Sequence, residues 1–157
     1  MQNNGFENCI KSGLIKKANT KQSEITQSIK QAEFFLEEAY DQLDSDKKEA
    51  ALLMLYNALF HATRAMLFKD GYKEKSHYCL QQYLLQKSKE EIRFTLDDAN
   101  LFDQLRVKRQ EIQYEFTKKY LNENIEELYN QTEEFIEKAK SYIEKRINYE
   151  PTGPQSK

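Results

Sequence analysis

The sequence predicts an all-α fold, an up-and-down helical bundle of four long helices plus one short helix. Residues typical of turns and strands are scarce, with four glycines, two prolines and a single valine, Val107, among 157 residues. Apolar residues recur instead at steps of three and four, as one face of a helix requires. Charged residues make up 32% of the chain, which suits helices with one solvated face. Sandwiches, barrels and Rossmann units are therefore disfavoured.

The first two helices are marked by spacing and by end signals. A helix over about 22–43 is predicted by one apolar stripe, which consists of Ile25, Ile29, Ala32, Leu36, Ala39 and Leu43. Asp46 followed by Glu49 predicts a capping box, and Asp70-Gly71 predicts a helix end, so a second helix is expected between them. This segment is apolar on nearly all sides, which places it at the centre of the bundle.

Two further helices follow in the second half of the chain. Ser76 is expected to cap a short third helix that ends near Ser88. Thr95 with Asp98 is expected to open a fourth helix, whose inner stripe runs on to Phe116. These end signals leave only short loops between neighbouring helices, as an up-and-down bundle requires.

A fifth helix and two tails complete the predicted organisation. Asn122, with acidic residues after it, suits the start of a helix whose apolar stripe ends at Ile147. Polar, aperiodic ends predict a flexible N-terminal arm over 1–20 and a disordered C-terminal tail over 149–157. The helical bundle is therefore expected to occupy residues 21–148.

Charge and cysteine content predict where the protein works. With 24 basic and 26 acidic residues the net charge is −2, so no overall field draws the chain to nucleic acid or to a membrane. The first five residues lack the features of a secretion signal, and no apolar run is long enough to span a bilayer. We therefore expect a cytoplasmic protein without a membrane partner. Cys9 and Cys79 show no metal-ligand spacing and are expected to be reduced thiols.

Familiar catalytic motifs are absent from the sequence. There is no glycine-rich phosphate loop and no nucleophile elbow. The two histidines, His61 and His77, lack the i, i+4 spacing of a helical zinc site, so we predict no metal and no cofactor. Neighbouring carboxylates such as Asp97 and Asp98 point about 100° apart on a helix and are expected on solvated faces or at caps.

The most informative segment lies on the predicted fourth helix. Arg106, Arg109 and Gln113 are spaced at steps of three and four and share one face, with Tyr114 beside them. Two guanidinium groups one turn apart match phosphate oxygens, so this face is a candidate ligand-binding site. In the ordinary alternative Tyr114 is packed and Arg109 pairs with an acidic residue of a neighbouring helix. The acidic candidates are Glu33, Glu37 and Glu38.

Arg64 and His77 are further candidates for ligand binding. Arg64 lies on the central helix, where a charge needs a partner, so a buried ion pair and a contribution to a ligand site are both open. His77 stands beside Ser76 at a helix start, where capping or packing is the ordinary role. The sequence does not decide between these roles.

Several short motifs together resemble a known family. They are Ala58-Leu59-Phe60-His61-Ala62-Thr63-Arg64-Ala65-Met66-Leu67, Gly71-Tyr72, Lys75-Ser76-His77 and Arg109-x-x-x-Gln113-Tyr114. In this order and spacing the chain resembles the HEPN domain over about residues 22–147. Members are small helical bundles, often dimers, and many are encoded beside a minimal nucleotidyltransferase as toxin and antitoxin. The resemblance implies a homodimer, a nucleotide or RNA ligand, and such a partner in a toxin-antitoxin or defence system.

One departure from the family pattern affects the expected activity. Ribonuclease members carry an Arg followed four to six residues later by a His, but no histidine follows Arg109 because the last one is His77. Gln113 cannot titrate, and Tyr114, with an ordinary pKa of about 10, is a poor base. The resemblance therefore favours binding over RNA cleavage.

Three functions stay open at this point. The leading one is binding of nucleotide, RNA or a nucleotidyltransferase through the face that carries Arg106, Arg109, Gln113 and Tyr114. Within this hypothesis, related toxin systems imply that the Tyr114 hydroxyl accepts a nucleotidyl group. The second is a metal-independent ribonuclease in which Arg109 stabilises the transition state and Tyr114, His61 or His77 carries the proton. The third is a purely structural oligomerisation module with tyrosine-rich surfaces.

Overall fold

The computed structural model describes residues 5–114 and 124–148, which form six helices and one small sheet. The helices are α1 (Gly5–Lys11), α2 (Gln22–Asp44), α3 (Lys48–Lys69), α4 (His77–Glu90), α5 (Leu96–Tyr114) and α6 (Ile125–Asn148). Strand β1 (Ile15–Lys17) pairs antiparallel with β2 (Tyr72–Glu74), so that Ile15 lies opposite Glu74. The predicted all-α bundle is confirmed, and the small sheet was not expected.

Helix α3 lies at the centre of the bundle, as its composition predicts. It packs against α2 along its length and contacts α5 and α6. Side chains from the whole helix, including Leu55, Leu59 and Met66, are fully buried. Among the described helices α3 alone is long and apolar enough to cross a membrane, and 67% of its most apolar stretch is buried inside the bundle. Burial by several neighbouring helices explains why its apolar residues are not confined to one face.

Two predicted helix boundaries are confirmed. α3 ends at Lys69, and Gly71 adopts a φ of +89°, a left-handed conformation that glycine takes without strain. Just before α5, the backbone N–H of Thr95 donates to the Asp98 carboxylate at 2.9 Å. That bond satisfies one of the free N–H groups at the start of the helix.

Other predicted caps differ from the observed ones. Asp46 does not cap α3, because it adopts a φ of 60° in the turn after α2 and the helix begins two residues later. Ser76 precedes α4 but its side chain makes no capping hydrogen bond. The predicted cap at Asn122 lies outside the described residues. The start of α6 is capped by Asn124, whose side-chain oxygen accepts the N–H of Glu127 at 3.1 Å.

The prediction of a flexible arm over residues 1–20 is wrong for the part that forms α1 and β1. The ring of Phe6 packs against Tyr72 and Tyr83, with centroid distances of 5.8 and 5.6 Å, and β1 pairs with β2. Segments this short show too little periodicity for the sequence to reveal them. The tail predicted over 149–157 lies outside the described residues.

The prediction of two reduced thiols is also wrong in this structure. Cys9 on α1 forms a disulfide with Cys79 on α4, with an S–S distance of 2.07 Å. The pairing brings together residues 70 positions apart, so only the fold makes it visible. The bond fastens the N-terminal segment to the helix that begins at His77.

Candidate functional site

Cationic and aromatic side chains gather where the middle of α3 faces the start of α4 and the middle of α5. We call this group the arginine-histidine cluster. Its members are Tyr56, Phe60, His61 and Arg64 from α3, His77 from α4, and Arg106 and Arg109 from α5. Tyr56, Phe60 and Arg64 follow one another at steps of four on α3 and share one face, with His61 beside Phe60. Arg106 and Arg109 are three positions apart and share one face of α5.

A hydrogen bond between Tyr56 and His77 forms the base of the cluster. The Tyr56 hydroxyl lies 2.6 Å from Nδ1 of His77. Burial raises the pKa of Tyr56 to about 12, although the charges of Arg109 and Arg106 oppose the shift. The phenol therefore keeps its proton at neutral pH. One hydrogen bond joins the two groups: the phenol donates in the Nε2–H tautomer of the neutral imidazole, and Nδ1–H donates in the other tautomer.

His77 is held in its neutral form by its surroundings. Burial lowers the pKa of His77, and the positive charges of Arg109, Arg64 and Arg106 lower it further. Its ring also contacts Phe60, with a centroid distance of 4.4 Å. At neutral pH the group is therefore an uncharged imidazole beside three cations.

Arg109 is the cationic residue of the cluster for which the described residues supply no carboxylate partner. Its guanidinium carbon lies 5.0 Å from the centroid of the Tyr56 ring, and its Nε is buried without a hydrogen-bond partner. No ion pair to Arg109 is found among the residues that the structure describes. Glu33, one of its expected partners, binds Lys140 at 2.7 Å instead. The ordinary alternative of an ion pair with a neighbouring helix is thus not observed.

The other two guanidinium groups each lie near a carboxylate. Arg106 binds Asp103 at 2.6 Å, one turn earlier on α5. Nε of Arg64 lies 3.2 Å from Glu74 on β2 and makes an ion pair but no hydrogen bond with it. The Arg64 side chain remains 37% exposed. Arg64 therefore forms an ion pair, although its own side chain is not buried, and its contribution to a ligand site stays a prediction.

A row of aromatic rings leads from the cluster toward the surface along α2. The His61 ring stacks on Phe35 with a centroid distance of 5.5 Å and an angle of 7°, and it contacts Phe60 at 5.0 Å. Phe35 in turn contacts Phe34, which is 51% exposed. Burial, followed by the charges of Arg64 and His77, lowers the pKa of His61 to about 4. His61 is therefore an uncharged, planar part of this row at neutral pH.

Comparison with known proteins agrees with this architecture. The family model of the HEPN domain matches residues 25–142, which contain every member of the cluster. This chain belongs to the HEPN domain family. A UPF0332 protein from Archaeoglobus fulgidus is 27% identical over 122 residues, which cover 78% of this chain and 97% of that protein.

Within this HEPN domain, Gln113 and Tyr114 lie apart from the cluster. Both are exposed at the end of the described part of α5, and Tyr114 is 76% exposed. No contact joins either side chain to His77 or to the other cluster members among the described residues. The alternative in which Tyr114 is packed is therefore not observed. Of the six predicted binding residues, Arg64, His77, Arg106 and Arg109 come together and these two do not.

Tyr56 is the functional candidate that the sequence analysis missed. It lies within the apolar run of α3, and this position is typical of a core residue. It is indeed only 1% exposed, but its hydroxyl needs a partner when buried. A tyrosine in an otherwise apolar central helix is the one available signal. The identity of its partner, 21 positions away in the sequence, depends on the fold.

A second polar cluster of the HEPN domain is satisfied internally. The Asp70 carboxylate accepts hydrogen bonds from the hydroxyls of Tyr83 at 2.6 Å and Tyr142 at 2.7 Å, and it pairs with Lys87 at 2.9 Å. These contacts tie the end of α3 to α4 and α6. In the described part of the chain, no three His, Cys, Asp or Glu side chains lie close enough to hold a metal ion. This second cluster therefore has a structural role.

Proposed function

We propose that this HEPN domain binds a nucleotide or RNA through the arginine-histidine cluster. The observation that carries the proposal is the uncompensated guanidinium of Arg109, placed over the Tyr56 ring with an unsatisfied buried Nε. A buried donor without a partner is costly, and a phosphate oxygen supplies a strong acceptor. Arg64 and His77 border the same position and add further donors.

The aromatic row supports a nucleotide over a simple anion. Phe34 is 51% exposed and connects through Phe35 and His61 to Phe60. The guanidinium carbon of Arg64 lies 5.8 Å from the centroid of the Phe60 ring. Bases stack on such rings with little dependence on sequence, while arginines hold the backbone. The combination of stacking surfaces and a local positive charge suits a single-stranded nucleic acid on a chain that is acidic overall.

A binding titration tests the proposal. Fluorescence anisotropy of a labelled single-stranded oligoribonucleotide is measured with wild type, Arg109→Ala and Lys89→Ala. Lys89 is an exposed cation on α4 outside the cluster, so its removal controls for net charge. We expect Arg109→Ala to weaken binding about tenfold or more, as loss of a charge-assisted hydrogen bond does, and Lys89→Ala to change it little. Equal affinity for all three proteins would refute the proposal.

A second candidate function is cleavage of RNA by the same cluster. The observation in its favour is the neutral imidazole of His77 beside Arg109. In this reaction the 2′-oxygen attacks phosphorus while its proton passes to Nε2 of His77, in the tautomer whose Nδ1–H donates to Tyr56. The bond to the 5′-oxygen breaks, that oxygen takes a proton from water, and the resulting hydroxide takes the proton back from His77. The products are a 2′,3′-cyclic phosphate and a 5′-hydroxyl end. Cleavage in EDTA that disappears in His77→Gln supports this function, and intact RNA excludes it.

A nucleotidyltransferase partner remains a separate proposal that concerns Tyr114. The exposed hydroxyl of Tyr114 is open to an incoming enzyme, as expected of a nucleotidyl acceptor in a cytoplasmic toxin-antitoxin pair. The test incubates the protein with a minimal nucleotidyltransferase and ATP and then measures intact mass. A nucleotidyl adduct on wild type that is absent from Tyr114→Phe supports the partnership. No adduct on either protein argues against it.

A further inference from the structure

The charges around His77 do not cancel among the residues that the structure describes. The guanidinium groups of Arg64 and Arg106 each face a carboxylate oxygen, at 3.2 and 2.6 Å. Arg109 has no such partner in the described part of the chain. The cluster therefore holds one uncompensated positive charge when His77 is neutral, and two when His77 is protonated.

The hydrogen bond from Tyr56 determines how His77 exchanges a proton. Nδ1 is hydrogen-bonded to the Tyr56 hydroxyl at 2.6 Å, so Nε2 is the ring atom left for a ligand. A hydroxyl can donate and also accept. When His77 becomes charged, Nδ1–H can donate to the same oxygen, and the pair keeps its geometry in both protonation states.

We propose that His77 takes up a proton when a terminal phosphate binds, so that the cluster prefers a doubly charged phosphomonoester to a singly charged phosphodiester. This inference rests on the proposed function, because it concerns the same site. A phosphomonoester has a second pKa of about 6 and is mostly doubly charged at pH 7. Protonated His77 and Arg109 together match that charge. A phosphodiester carries a single charge, which Arg109 alone compensates.

Charged or titratable groups near His77 lie on α3, α5 and β2. The groups are Tyr56, His61 and Arg64 on α3, Arg106 and Arg109 on α5, and Glu74 on β2, which binds Arg64. Burial comes first among the causes that lower the pKa of His77, and the three arginines follow. A bound anion offsets the arginine charges and so raises this pKa. His77 also begins α4, whose positive end disfavours an imidazolium and favours an anion.

Titration calorimetry tests the inference directly on the full chain. The probes are two oligoribonucleotides of one sequence, one with a 5′-phosphate and the other with a 5′-hydroxyl. Each is titrated at pH 7 in two buffers with different heats of ionisation, which gives the number of protons bound. We expect the phosphorylated probe to bind about tenfold more tightly, the equivalent of a pKa change of one unit, and to bring uptake of up to one proton. The hydroxyl probe is expected to bring none.

Three variants separate the inference from the proposed function. His77→Gln is expected to abolish proton uptake and the preference for the 5′-phosphate while it still binds both probes. Tyr56→Phe keeps the imidazole and is expected to reduce the preference. Arg109→Ala is expected to weaken binding of both probes. Equal affinity of wild type for the two probes, or proton uptake that persists in His77→Gln, overturns the inference alone. Wild-type binding that Arg109→Ala leaves unchanged, or no binding at all, overturns the proposed function as well.

Discussion

The hydroxyl of Tyr56 lies 2.6 Å from Nδ1 of His77 and links the middle of the central helix to the first residue of α4. The same tyrosine ring supports the guanidinium of Arg109 from α5. One buried side chain thus positions two residues that the sequence singled out separately. This arrangement brings the two residues together although they lie 32 positions apart in the chain.

Removal of the Tyr56 hydroxyl is expected to lower the stability of the fold. In Tyr56→Phe the partly buried Nδ1 of His77 loses its partner, and we expect a loss of about 1 to 2 kcal/mol in the free energy of unfolding. Urea denaturation followed by circular dichroism measures it. Tyr40→Phe is the matched control, because Tyr40 is 56% exposed and should change stability by less than about 0.5 kcal/mol. Equal effects of the two variants would contradict the role given to the hydrogen bond.

Asp70 is expected to be more important for stability than any carboxylate on the surface. Burial lowers the pKa of Lys87, but its hydrogen bond with Tyr142 and the Asp70 charge raise it overall, so Lys87 stays charged. Asp70→Asn leaves the charge of Lys87 poorly compensated and should lower the free energy of unfolding by about 3 kcal/mol. Glu90→Gln, at a carboxylate 47% exposed, should cost less than about 1 kcal/mol. Chemical denaturation at pH 7 gives the free energy of unfolding of both variants. Similar losses in the two variants would contradict the greater importance of Asp70.

The buried position of His61 predicts a specific dependence of stability on pH. Its pKa falls from 6.5 to about 4 in the folded protein, so the unfolded chain binds the proton more readily between these values. Its contribution to stability is therefore complete above pH 6.5 and is lost as pH falls toward 4. The free energy of unfolding should drop less between pH 7 and pH 5 in His61→Gln than in wild type. An identical drop in the two proteins would show that His61 does not contribute.

The disulfide is expected to stabilise the oxidised protein. Cys9 and Cys79 close a loop with a sequence separation of 70, for which chain entropy predicts about 4 kcal/mol. A reducing agent should therefore lower the melting temperature of wild type but not that of the Cys9→Ser, Cys79→Ser double variant. If wild type melts at the same temperature with and without reductant, the bond contributes nothing. Mass spectrometry of the protein isolated from cells shows which redox state of Cys9 and Cys79 is present there.

The sequence predicts the bundle well because helical periodicity is a local property. The stripe from Ile25 to Leu43 and the stop at Gly71 fix α2 and the end of α3 almost to the residue. The small sheet and the disulfide escape prediction because they depend on contacts between distant segments. Asp46 shows a local signal that fails, since the turn after α2 places it in a left-handed conformation instead of at a cap.

Residue types and their helical spacing identified part of the candidate site. Arg106 and Arg109 were found because their spacing places them on one face of α5. Tyr56, the partner of His77, was not identified because a tyrosine in the apolar run of α3 is typical of a core residue. Its hydrogen bond with His77 joins α3 to α4 and depends on the fold. Gln113 follows Arg109 at a step of four, with Tyr114 beside it, but both lie outside the cluster. Helical spacing therefore shows which residues share a face but not which face meets a neighbouring helix.

The dependence of RNA affinity on salt tests the central claim most directly. Phosphate contacts release counterions, so the logarithm of the binding constant falls with the logarithm of the salt concentration by about 0.7 per contacted phosphate of a single strand. We predict that Arg109→Ala binds the labelled oligoribonucleotide more weakly than wild type and with a slope smaller by about 0.7. Parallel lines for the two proteins at equal affinity would contradict the claim that Arg109 holds a phosphate.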